Sequence, residues 1–138
     1  MIRLLMVISL VTFSLAITAD AQNRPKFEPT RFQKQHMLQT LEMHVELLKD
    51  SNPLKRAMAV QNIREMEYAY PDEPFSNLLN PLIERLKNEN ETTDVRLLSA
   101  MALDALHNDT GDKVIEEMSK ISNNKSLKEL CIALLIKG

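Results

Sequence analysis

Asp94-Val95-Arg96-Leu97-Leu98-Ser99-Ala100-Met101-Ala102-Leu103 is the stretch on which the fold turns. Val95, Leu98, Ala102 and Leu103, with Leu106 beyond, recur at helical spacing. Two neighbouring helices echo it. Moved onto this stretch, Arg56 meets Arg96, Met58 meets Leu98, Ala59 meets Ser99, Ile63 meets Leu103 and Met66 meets Leu106. On the C-terminal side, Leu127 meets Val95, Lys128 meets Arg96, Leu130 meets Leu98, Cys131 meets Ser99 and Leu135 meets Leu103. Any two amphipathic helices align at some offset. These three also keep a basic and a small residue in step. A small residue lets neighbouring helices approach closely. A cation just inside a helix start opposes the helix dipole, so another purpose is expected, such as pairing with an acid of the adjoining repeat.

The intervening helices repeat as well. Leu78, Leu79 and Leu82 fall on Val114, Ile115 and Met118, and the outer residues Asn77, Asn80 and Glu84 fall on Lys113, Glu116 and Lys120. The offsets differ from pair to pair, and the differences fall in turns, where insertions are tolerated.

Reading outward gives helices only. Thr30 is a plausible N-cap for a helix carrying Met37, Leu38, Leu41, Val45 and Leu48. Ser51 or Asn52 caps the next, with Pro53 at its first position and Leu54, Ala57, Met58, Ile63 and Met66 on one stripe. Tyr70-Pro71-Asp72-Glu73-Pro74 breaks it. Phe75 to Leu86 forms a third helix and residues 88–94 a polar connection. Asn108 to Asp112 is expected as a turn before Val114, Ile115, Met118 and Ile121, and residues 123–126 as a turn before the last helix. Period-2 alternation bounded by turns is absent, so no strand is expected. A second stripe, His36, Thr40, Met43 and Leu47, marks the first helix as covered on two sides. Either Phe27 and Phe32 fold back over it, or a partner or second copy docks there.

Asp94 to Leu103 resembles the first-helix signature of short bacterial HEAT-like repeats: acid, aliphatic, Arg, two variable positions, small residues, then Ala-Leu. Asn52 to Ile63 and Ser126 to Leu135 are weaker copies, and the likeness covers roughly residues 50–138. Ser126 stands where the motif has its acid. The Trp and Gly-Tyr signature of tetratricopeptide repeats has no counterpart here. The resemblance implies an all-α short solenoid of five or six helices in antiparallel pairs. It also implies a concave side, lined by the second helices, that binds another protein. Asn77, Asn80, Glu84, Lys113, Glu116 and Lys120 are the expected partner-binding residues. The last repeat has its first helix without a second, so the chain is expected either to end in a half-repeat cap or to need cover over Leu130 and Leu134.

The chain divides into 1–21, read as a cleaved signal peptide, 22–29, a flexible lead-in, and 30–138, the repeat domain. Arg3 precedes an apolar run from Leu4 to Ile17, followed by Ala19-Asp20-Ala21. The run is short against the ~20 residues a spanning helix needs, though an uncleaved anchor is the alternative. An exported, periplasmic or secreted protein is expected, without membrane attachment after cleavage. Asn90, Asn108 and Asn124 begin glycosylation triplets, which a bacterial periplasm leaves unmodified.

The 138 residues suffice for one ordinary domain. A net charge of −2, from 17 basic and 19 acidic residues, gives no basic excess for nucleic acid. One cysteine excludes an internal disulfide framework and a Cys-rich zinc site, and two glycines exclude a Gly-rich phosphate loop. His36 and His44 stand eight apart, ~12 Å of helix rise, too far for one ion, and read as solvated. His107 reads as a cationic helix end, and Cys131 as a small core residue. No cofactor, metal or catalytic residue is expected; the partner is an unidentified protein. The competing expectation is a small-ligand module for a tetrapyrrole-like or apolar molecule. Some short HEAT-like repeats resemble those of bilin lyases, and here Tyr68, Tyr70 and Phe75 would wall an apolar pocket.

Overall fold

A computed structural model describes residues 29–73 and 75–137. The expected leader, most of the lead-in and Phe27 lie outside the described residues. Among those described there are six α-helices and no strand: α1 (Arg31–Leu47), α2 (Pro53–Ala69), α3 (Leu79–Lys87), α4 (Thr93–Ala105), α5 (Asp109–Ile121) and α6 (Lys125–Lys137). Close contacts divide the chain into two units, one ending at Phe32 and the other running from Gln33 to Gly138. The second unit holds the helical core.

Four of the six starts have a local cause. The Asn52 side chain accepts from the Leu54 N–H at 2.9 Å, and Pro53 opens α2 where an N–H has no helical partner. A 3₁₀ turn, Ser76–Leu78, leads into α3, so the expected third helix starts later than Phe75. Pro81 lacks the N–H that an α-helix would aim at the Asn77 carbonyl, and a tighter turn suits that gap. Asn108 caps α5, accepting from Thr110 at 2.9 Å and Gly111 at 3.4 Å. The expected turn 108–112 is therefore the first turn of a helix, and Gly111 lies inside it, buried. A Cβ there would meet the Leu103 carbonyl oxygen at 3.4 Å and the Leu79 Cδ1 at 3.6 Å. Asn124 caps α6 by accepting from Leu127 at 3.0 Å, and its amide donates to Thr93 Oγ1 at 2.8 Å. Two of the three glycosylation triplets thus begin at a helix N-cap.

α4 is the centre. Val95, Arg96, Ser99, Ala100, Ala102 and Leu103 are buried while Thr93, Asp94 and Ala105 are exposed, so one broad face of α4 is covered. It packs against α2, α3, α5 and α6; α5 also packs against α6, and α3 against α5. Ala59, Ser99 and Cys131 are each fully buried, at the matching place of α2, α4 and α6. The α2 stripe differs from expectation. Leu54 and Met58 are exposed, while Val60 joins Ala59 and Ile63 in the core. Packing against α4 uses the face one residue further round.

The repeated cations share a geometric purpose. Arg56 Nη1 donates to the Asp50 carbonyl at 2.6 Å, Arg96 Nε to the Leu86 carbonyl at 2.9 Å and Lys128 Nζ to the Lys120 carbonyl at 3.1 Å. Each reaches a carbonyl at, or just beyond, the C-terminal end of the preceding helix, where a cation suits the dipole. The expected pairing with an acid is made by Arg56, whose partner is Glu91. Glu91 lies in the connection between α3 and α4. It takes Arg56 through both oxygens, at 2.8 and 2.7 Å, and the Arg85 guanidinium stands 3.4 Å away.

Candidate functional site

A cavity of about 640 Å³ opens where the C-terminal end of α2, the loop after it and the α4–α5 turn meet. The volume lies within the usual span of small-molecule sites. The loop is held by two ties. The Tyr70 N–H donates to the Met66 carbonyl at 2.9 Å, closing α2, and Lys34 of α1 pairs with Glu73 at 2.8 Å. Tyr68, Tyr70 and Phe75, the expected pocket residues, all line this cavity. Phe75 is buried and Tyr68 exposed, so one aromatic belongs to the wall and the other to the rim.

The far side of the cavity is the α4–α5 turn, with Leu106, His107 and Asn108. His107 has φ of 47°, in the left-handed region, and its N–H donates to the Asp104 carbonyl at 3.2 Å. His107 thus ends α4 where expected, closing it through its backbone at the position usually given to Gly.

Glu67 also lines the cavity. It is 5% exposed, both carboxyl oxygens are shut off from water, and neither has a hydrogen-bond partner. Burial pushes its carboxyl up to about 8, against a smaller opposing effect of the Arg64 charge. Glu67 was not among the residues expected at a site, although the sequence carries a signal. Val60, Ile63 and Glu67 share one helical stripe, so the acid occupies a core position.

The two helical histidines differ. His36 is exposed, while His44 is buried with Nδ1 unpartnered, and burial lowers its pKa. The expectation of two solvated histidines is thus wrong for His44, which shares a buried stripe with Met37, Leu41 and Leu48. The expected second stripe is only half covered: Thr40 and Leu47 are half-buried, Leu47 against the core, while His36 is exposed, Met43 is 52% exposed and Phe32 is itself exposed. Among the described residues no group of three or more His, Cys, Asp and Glu is placed to hold a metal ion.

Asn77, Asn80, Glu84, Lys113, Glu116 and Lys120 are all exposed. Glu84 pairs with Arg85, and Glu116 with Lys120 at 2.5 Å. Lys87 of α3 reaches Glu117 of α5 at 2.8 Å, joining the two helical segments that carry the six residues. Cys131 is a buried free thiol, pushed up to about 11 by burial, with the Arg96 charge opposing. No described helix is long and apolar enough to cross a membrane.

Comparison with protein-family models, curated proteins and solved structures gives no match.

Proposed function

We propose that this protein is an exported, non-enzymatic interaction module built of HEAT-like helical repeats, with an unidentified protein as its partner. The observation that carries the reading is the likeness of Arg56, Arg96 and Lys128, each bonded to a carbonyl at, or just beyond, the end of the preceding helix. Matching cations with matching bonds are what a repeated helix pair predicts. The packing of α2 with α4, α4 with α6 and α3 with α5 follows the same alternation. Antiparallel pairing of α1 with α2 is supported by Lys34 and Glu73, which join the start of α1 to the loop after α2, while a short turn joins their other ends. Export rests on the signal-like pattern of residues 1–21.

The proposed contact face is formed by Asn77, Asn80 and Glu84 with Lys113, Glu116 and Lys120. Its mixed charge fits a modest, salt-sensitive contact. The test is affinity capture from periplasm or culture medium, with the native protein beside a variant carrying Glu84→Lys and Lys120→Glu. Loss of the same captured protein in the variant supports this face; equal capture removes it.

A second reading, a small-ligand module, is favoured by one specific observation. Tyr68, Tyr70 and Phe75, the aromatics expected to wall a pocket, line a single cavity. A bound small molecule in native mass spectrometry of protein purified from its own host would support it.

A further inference from the structure

The cavity between α2 and the α4–α5 turn combines three properties that narrow what it takes. It has room for a small organic molecule, about 640 Å³. Tyr70 and Phe75 give it aromatic wall, with Tyr68 at the rim, and Leu106 adds an aliphatic side. Glu67 brings a carboxyl that nothing among the described residues satisfies. Leaving such a group dry and unpaired is costly, and turning it toward a donor in the cavity gives up no existing hydrogen bond.

The neighbouring charges do not supply the missing donor. Arg64 lines the same cavity, but its Nη1 donates to Gln61 at 3.1 Å and no bond joins it to Glu67. Glu73, the other carboxylate of the lining, is already paired with Lys34. Glu67 is therefore the carboxyl of the lining left without a partner, and aromatic side chains in the same lining suit a cation.

Resting on the small-ligand reading, we infer that this cavity binds small primary amines on a flat apolar body, with Glu67 accepting from the ammonium group and the Tyr70 and Phe75 rings packing against the body. Burial that holds the empty carboxyl protonated means that amine uptake displaces a proton from Glu67. The other titratable groups of the lining are Arg64, Glu73, His107, Tyr68 and Tyr70.

The chain has no tryptophan, so indole fluorescence reports the probe alone. Tryptamine and the uncharged 3-ethylindole are titrated into the protein, and into Glu67→Gln checked for helicity by circular dichroism. At pH 8 tryptamine is expected to bind at least about tenfold more tightly than 3-ethylindole. Its advantage should grow between pH 6 and pH 8 and vanish in Glu67→Gln. Equal binding of the two probes to the native protein, a comparison that needs no variant, overturns the amine inference and leaves an apolar cavity. A tryptamine preference that persists in Glu67→Gln also overturns it. If neither probe binds, the small-ligand reading falls with it.

Discussion

The Arg56 guanidinium meets the Glu91 carboxylate side-on, Nε to Oε2 at 2.8 Å and Nη2 to Oε1 at 2.7 Å, across 35 positions of chain. The same guanidinium holds the Asp50 carbonyl at 2.6 Å, and Glu91 Oε1 accepts the Thr92 N–H at 2.9 Å. One contact thus joins the end of α1, the start of α2 and the loop leading to α4. Burial alone would raise the Glu91 carboxyl; the bonds from Arg56 and Thr92 outweigh it and hold the group below the ordinary glutamate range.

Removing one partner of this pair leaves the other desolvated. Glu91→Gln is expected to lower the unfolding free energy by about 3 kcal/mol, read as a fall in denaturant midpoint at unchanged slope. A double variant, Arg56→Met with Glu91→Leu, should lose less than the two single changes added together. Additive losses would mean that the two side chains do not act as a pair.

Glu67 makes stability depend on pH in the direction opposite to Glu91. Its folded pKa, about 8, lies above the unfolded value of 4.5, so the folded state holds the extra proton between them. Stability from this group therefore falls as pH rises from 4.5 toward 8 and levels beyond. The slope is at most about 1.4 kcal/mol per pH unit. Glu67→Gln should cancel that slope, leaving the variant more stable than the native protein at pH 8. Parallel pH profiles from chemical denaturation would refute the assignment.

Cys131 is fully buried, and its thiol is raised to about 11. Aromatic disulfide reagents should label it slowly in the native state and rapidly once denaturant unfolds the chain. Cys131→Leu should destabilise by about 1–3 kcal/mol, because α6 has a small residue where α2 and α4 have Ala59 and Ser99. Rapid native labelling would show the site to be open.

Gly111 and His107 flank one turn and should respond oppositely to added side chain. The contacts a Cβ would make at Gly111, 3.4–3.6 Å, are ordinary, so Gly111→Ala is expected to add about 0.5–1 kcal/mol through helix propensity. Gly111→Val, with branches meeting Leu103 and Leu79, should destabilise. At φ of 47° His107→Gly relieves a left-handed strain and should add up to about 1 kcal/mol. Thermal midpoints of the three variants check all of this.

Helical periodicity, the Asn52–Pro53 start of α2 and the break after Tyr70 were legible in the sequence because they act within a few residues. So was the burial of Ala59, Ser99 and Cys131, small residues at aligned positions of three amphipathic helices. Tyr68, Tyr70 and Phe75 came together as expected because a short loop holds them near one another. Other features depend on contacts that no local pattern encodes. Glu91 sits in a polar connection, and only the approach of Arg56 makes it a buried partner. His44 and Glu67 look like ordinary polar helix residues until packing shuts them from water. Which face of α2 is buried was set by α4, and the turn from α4 to α5 closed through the His107 backbone. Periodicity and capping belong to neighbouring residues and to hydrogen bonds within a turn. Burial, and with it the charge state of an acid or a histidine, belongs to whatever the rest of the chain brings alongside.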